Sequence, residues 1–237
     1  MSERDNQEIM EWVQVFINAG SPNDDIRKKA ENTIDQKRSN EPTSLIIICT
    51  IILSIDENKD INIINAKSLA SIILVQMLNF QKPAELEFKR KNLTPNMIEP
   101  IINSLKKNVF SSNPVIRNKC AQCYSILFAI LTKNWPDGIQ SITSFFSNPN
   151  LSPTDFIGLI SIMDEIVIQN NFVDEIAHDF EVHFIQTLLF CIGILSKSVE
   201  EHLYVPELRI CACKYILDLI NNYSQILNDG ENVGARV

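Results

Sequence analysis

The strongest constraint on this chain is a spacing of apolar side chains that recurs at long range. Ile116, Cys120, Cys123, Tyr124, Leu127 and Leu131 stand at relative positions 0, 4, 7, 8, 11 and 15, and Leu208, Ala212, Tyr215, Ile216, Leu219 and Tyr223 repeat them 92 residues later. Ile26, Ala30, Thr33 and Ile34 supply the first four again. At about 3.6 residues per turn all of these fall on one helix face. A chain built of such one-faced helices has to bury each copy against its neighbours, which is how helical repeat proteins are held together.

Proline punctuates the same pattern. Ser21-Pro22, Thr94-Pro95, Asn113-Pro114 and Ser152-Pro153 each place a side-chain acceptor before a proline. That pairing opens helices, because the cap oxygen accepts from an orphan amide and proline has no amide to waste in the first turn. An amphipathic stretch from Gln7 to Ala19, with Ile9, Trp12, Val13 and Phe16 on one face, ends at Gly20. Further helices are expected over 22–38, 42–55, 61–80, 95–108 and 114–133, then from Trp135-Pro136, from Ser152-Pro153, over 174–197 and from Pro206 to about 228. The basic segment 81–93 reads as a loop or a short exposed helix. Isoleucine-rich runs such as Leu45–Ile52 also suit strands, but no Asn-Gly or Asp-Gly turn joins neighbouring apolar runs. The expected fold is therefore all-α. Ten helices pair into about five HEAT-type hairpins, an α-solenoid over residues 1–228, with a flexible tail at 229–237.

Three positions within the repeats stand out. Arginine follows the first apolar residue at Arg27, Arg117 and Arg209, where it is expected to bond to a neighbouring hairpin's acids or helix ends and keep the stacking register; a solvated charge is the plainer reading. In the helix from Ile61 the template, started at Ile64, meets the small residues Ser68 and Ser71. In the helix from Pro153 it places Asp164 at the edge of the buried face, as a satisfied buried acid or a partner contact.

Charge and composition narrow the function. With 29 acidic and 21 basic side chains the net charge is −8, which argues against general nucleic-acid binding and favours a basic protein partner. The charge is uneven: residues 1–60 carry 12 acids and 7 bases, 61–150 carry 4 and 10, and 151–237 carry 13 and 4. No basic start followed by an apolar run marks a secretory signal, and Leu45–Ile55 is about half of the ~20 residues a membrane helix needs, so neither secretion nor membrane insertion is expected. The six cysteines lie within apolar helical patterns and are expected to be free thiols in the cytosol or nucleus.

Chemistry is not signalled. Glu175 and His178 form half of a di-metal carboxylate motif whose second half is missing. Cys120 and Cys123 form one C-x-x-C inside a helix with no second pair. The six glycines are scattered and make no phosphate loop. The expectation is no enzyme, no metal and no cofactor.

Arg27, Ala30, Glu31 and Ile34, followed by Pro42 and Leu45, give the order R-x-x-A-E-x-x-[LI], a short gap, then P-x-x-[LF]. This resembles the N-terminal domain of the importin-β (karyopherin-β) family. Lys67, Ala70, Ser71, Ile72 and Leu74 are similar to the family's second-hairpin R-x-x-A-[GA]-x-x-L, and Trp135, Pro136 and Ile139 to its W-P-x-L-[IL]. Val75 and Gln76 stand where family members usually carry Lys-Asn. The resemblance covers about residues 7–147. It implies a nuclear transport receptor, or its N-terminal portion, working in the cytoplasm, the nucleus and the nuclear pore. Its partners would be the GTP form of a Ran-like small GTPase, the phenylalanine-glycine repeats of nucleoporins, and protein cargo or an adaptor. On that basis Arg27, Glu31, Lys67 and Gln76 on second helices are candidates to face the GTPase, and Phe180, Phe184 and Phe190 to border a nucleoporin groove, with simple core packing as the plainer reading of each phenylalanine. A HEAT scaffold or adaptor subunit outside transport is the alternative. The last hairpin, apolar on more than one face at Ile216, Leu217, Leu219 and Ile220, is expected to present a sticky edge, as in a fragment or a shortened family member.

Overall fold

A computed structural model describes residues 3–56, 60–131, 138–148, 150–169, 174–198 and 204–233; within these, the side chains of 174–182 and 223–233 are among those outside the described set. The described residues form eleven α-helices: α1 (Glu3–Ala19), α2 (Asp24–Asn40), α3 (Pro42–Ser54), α4 (Ile61–Leu78), α5 (Pro83–Asn92), α6 (Pro95–Asn108), α7 (Pro114–Leu131), α8 (Gly138–Thr143), α9 (Pro153–Gln169), α10 (Asp174–Leu195) and α11 (Pro206–Val233). A 3-10 turn, Ser144–Ser147, follows α8. This is the all-α solenoid fold of HEAT-type hairpins: α1–α2, α3–α4, α6–α7, α8–α9 and α10–α11. The basic segment after Phe80 is the short helix α5, inserted between the second and third hairpins. Trp135 and Pro136 lie outside the described residues.

The helix starts follow local chemistry, with one shift. α2 begins at Asp24 because Asn23, not Ser21, is its cap: the Asn23 carboxamide accepts from the amides of Asp25 at 3.0 Å and Ile26 at 3.3 Å. Ser21 Oγ instead accepts from the Asn23 amide at 3.2 Å, so Pro22 lies in the turn before the helix. Asn113 caps α7 as its sequence indicates, at 2.9 Å to Val115 N. Ser152 and Asp155 form a reciprocal capping box on α9, with bonds of 3.3 and 2.8 Å. α11 runs on through Asp229 and Gly230 to Val233, past the expected end of the last helix. A glycine costs a helix only about 1 kcal/mol, too little to stop a long one by itself.

The chain divides into two compact units, Met1–Cys123 and Tyr124–Val237. In the first, α3 packs on α4 and α6, and α1 packs on α2, α3 and α4. Val13, Phe16, Leu45, Cys49, Leu53 and Leu74 are the centre of that core. A buried polar ladder joins α6 to α3: Asn108 Nδ2 donates to Leu53 O and Ser104 O, both at 2.8 Å. Among the described residues α4 is the one helix long and apolar enough to cross a membrane, and half of it is buried against the rest of the protein. In the second unit α11 packs on α9 and α10, around Phe156, Met163, Phe184, Leu208 and Tyr215. The Tyr215 hydroxyl donates to Phe184 O at 3.1 Å, so the largest buried polar tip has a partner.

The apolar template holds in α7, where all six positions are buried, and in α9, where Phe156, Ile160, Met163, Asp164 and Val167 are. Two registers differ from the sequence reading. Ile26 is 44% exposed, and the buried face of α2 starts at Ala30 and continues at Ile34. In α4 the buried face starts at Ala66 and continues through Ala70, Ile73 and Leu74, two residues later than a start at Ile64. Small alanines let α4 lie close against α1 and α3, which a larger isoleucine at that place would prevent.

Candidate protein-binding surfaces

The α4 register makes Lys67 equivalent to Arg27, Arg117 and Arg209. Three of these four share one task. Lys67 Nζ donates to Ile55 O, the C-cap of α3, at 3.1 Å. Arg117 Nη1 donates to Ser111 O, just past the end of α6, at 3.2 Å. Arg209 Nη1 donates to Leu195 O at 3.1 Å in the last turn of α10, and its guanidinium lies 4.8 Å from the centre of the Tyr204 ring. Each cation thus latches a second helix to the carbonyl end of the first helix of its own hairpin, where orphan acceptors and the negative dipole end favour it. The expected bond to a neighbouring hairpin is replaced by one within the hairpin. Lys67 is only 2% exposed and offers a partner nothing.

Arg27 is the exception. It pairs within α2, with Asp24 at 2.6 Å and Glu31 at 3.8 Å, and is partly open to solvent. Glu31 and Gln76 are exposed. Arg38, which sequence reasoning overlooked, bonds Asp35 at 3.4 Å and donates from Nη2 to Gln76 Oε1 at 3.1 Å. The structure therefore brings Gln76 on α4 to α2 through Arg38, on a polar second-helix surface that also carries Arg27 and Glu31.

A second surface lies on the first helices. Ile9 and Trp12 of α1 and Ile47, Ile48 and Ile51 of α3 line an open groove of about 380 Å³, edged by Glu8, Lys37 and Glu41. Lys37 sits 5.9 Å from the centre of the Trp12 ring and bonds Glu41 at 2.6 Å. That bond, with one from Ser44, lowers the Glu41 carboxyl below its ordinary range. The signal was present in sequence: α3 is apolar on every side, more than one buried face can use.

Phe184 is a core side chain, and the side chain of Phe180 lies outside the described residues. Phe146 and Phe190 edge a cleft of about 530 Å³, and the Phe190 ring lies tilted against both Phe146 and Phe156, with centroids 4.8 Å apart in each pair. Polar groups line this cleft, with Thr143 Oγ1 3.1 Å from His183 Nδ1, and partial burial pushes His183 below its ordinary range.

The basic middle of the chain is largely spent internally. Lys89 donates to Met77 O, Lys107 pairs with Asp56, and Arg90 pairs with Glu87 at 2.6 Å. Asp164 is buried with one oxygen on Lys214 and the other without a partner; burial pushes its carboxyl up to about 6. Cys120 and Cys123 are fully buried, and burial pushes the Cys120 thiol up to about 12, which suits a core residue and not a redox pair. Glu175, His178 and His202 have side chains outside the described residues. Among the described residues no cluster of three histidine, cysteine or acidic side chains could hold a metal ion.

The fold is that of a HEAT-type helical repeat protein. Solved structures of the same fold include a Kap95p complex, described as Kap95p binding that induces the switch loops of RanGDP to adopt the GTP-bound conformation, with a TM-score of 0.68 and 17% identity over 96% of this chain and 24% of that chain. A chain of a Kap95:Nup1 complex matches at a TM-score of 0.68 and 15% identity, over 96% of this chain and 26% of that one. The likeness is one of fold with importin-β-type solenoids, and this chain spans about a quarter of the length of those it matches. No family model and no curated protein matches the sequence.

Proposed function

We propose that this chain is a nuclear transport receptor of the importin-β type, or the repeat array of one, and that it works by reversible protein recognition without a covalent step. The observation that carries this reading is the match of 96% of the chain to Kap95 solenoids solved with Ran and with Nup1. The α2/α4 surface of Arg27, Glu31, Arg38 and Gln76 is then the face for a Ran-like GTPase in its GTP form. The Trp12 groove, apolar and lying on first helices, is the face for phenylalanine-glycine segments of nucleoporins. Such a protein works in the cytoplasm, the nucleus and the pore between them.

The test is binding of the whole chain to Ran loaded with GTP or GDP, by calorimetry or biolayer interferometry. Selective binding of the GTP form, weakened by Arg38→Glu, is expected. Equal or absent binding to both forms overturns the reading in favour of a HEAT scaffold outside transport, a role that the buried Lys67 and the Val75-Gln76 pair also suit.

A further inference from the structure

The Trp12 groove has an apolar floor and an unbalanced rim. Ile47 is exposed, and Trp12 and Ile51 are half-buried, so the floor is open to an apolar side chain of a ligand. Three charged side chains edge it: Glu8 on α1, Lys37 in the last turn of α2, and Glu41 at the joint between α2 and α3. Lys37 is already matched. Its Nζ bonds Glu41 at 2.6 Å, its side chain is only 18% exposed, and it lies over the Trp12 ring. Glu41 is held from a second side, accepting from Ser44 Oγ at 3.1 Å. Glu8 is exposed, and among the described residues its carboxylate has no partner. Two carboxylates against one ammonium leave the rim with a surplus negative charge, and that surplus sits on Glu8. Residues 1–60 add to the same field, with 12 acids against 7 bases.

We infer that the groove selects, among phenylalanine-glycine segments, those carrying a basic residue two positions from the phenylalanine, and that Glu8 is the side chain that makes the choice. This rests on the groove being a nucleoporin face, and adds which segments that face prefers. The spacing fits on both sides. Glu8 and Trp12 are four residues apart in α1, neighbours on one helix face about 6 Å apart. In an extended segment, side chains two residues apart point the same way and lie about 7 Å apart. A phenylalanine seated against Trp12 therefore brings a lysine two positions away over Glu8, where a glutamate would meet a like charge. Lys37 does not reverse this preference, because Glu41 neutralises it in place. An exposed ion pair of this kind is worth about threefold in affinity, and an exposed like-charge pair costs about as much.

Fluorescence anisotropy of labelled peptides titrated with the full chain tests this. Three peptides are used that differ only in carrying Lys, Ser or Glu two positions to either side of a single Phe-Gly. The expected order of affinity is Lys, Ser, Glu, about threefold per step at about 0.05 M salt and compressed towards equality at about 0.5 M. Glu8→Lys should reverse the order. Ile47→Ser, at a floor side chain 44% exposed, should weaken all three peptides by about threefold or more with unchanged helicity. Three equal affinities, a preference for the glutamate peptide, an order that Glu8→Lys leaves as it was, or binding that Ile47→Ser leaves intact each overturns the inference while phenylalanine-glycine binding itself stands. Binding of none of the three peptides overturns the nucleoporin reading of the groove, and the inference with it.

Discussion

The seam between α9 and α11 holds a carboxylate whose net effect has a calculable sign. Asp164 is about 5% exposed on its side chain, its Oδ2 accepts from Lys214, and its Oδ1 has no partner. Burial outweighs the ammonium and raises the carboxyl from 3.8 to about 6. The folded chain therefore holds this proton to higher pH than the unfolded chain does. Stability from this group is complete below about pH 4, falls as pH rises towards about 6, and stays low above that. At roughly 1.4 kcal/mol per pH unit, the two-unit gap amounts to about 3 kcal/mol.

Asp164→Asn keeps an acceptor for Lys214 and removes the charge. At pH 8 it should equal or exceed wild-type stability by up to about 2 kcal/mol, after allowing for the lost ion pair. At pH 4 the gain should vanish. Lys214→Met should do the reverse, losing about 1–3 kcal/mol at pH 8 by stranding the carboxylate, discounted because the lysine side chain is 56% exposed. That loss should shrink at pH 4, where Asp164 is neutral. Urea unfolding followed by far-UV circular dichroism at both pH values reads the effect, a shift of about 1 M in midpoint per 2 kcal/mol. If Asp164→Asn is the more damaging of the two at pH 8, the carboxylate is net stabilising and the reasoning fails.

Two further outcomes follow from the buried polar groups and thiols. Asn108→Ala should lower stability by about 2 kcal/mol, because Leu53 O loses its buried donor; a thermal midpoint within 1 °C of wild type would show that the α3–α6 ladder is dispensable. A disulfide-exchange reagent should label Cys213 fast and Cys211 more slowly, while Cys49, Cys120, Cys123 and Cys191 react only on unfolding. Rapid labelling of four or more thiols in the folded protein would contradict the packing.

Much of the architecture was legible because its causes are local. Proline, cap residues and the one-faced spacing of Ile116 to Leu131 state where helices begin and which side they bury. α4 was misread by two residues because isoleucine outranks alanine as a core signal. Only the close approach of α1 and α3 makes Ala66 and Ala70 the better fit. Two of the three latch residues were visible in the recurrence at 27, 117 and 209, of which Arg27 pairs within its own helix instead, but their acceptors were not. Those are backbone carbonyls of another helix, and carbonyls carry no sequence signature.

The candidate surfaces divide in the same way. The resemblance to the importin-β family marked Arg27, Glu31, Lys67 and Gln76 alike, as polar positions on second helices. Tertiary packing separated them, sending Lys67 inward to Ile55 O and Gln76 outward to Arg38. Sequence alone determined that this chain is a stack of amphipathic hairpins, because helix periodicity and capping act within a few residues. Which apolar residues become core, groove or open surface was decided only in three dimensions. An exposed Leu217 and a buried Leu219 are the same side chain until neighbouring helices cover one and leave the other.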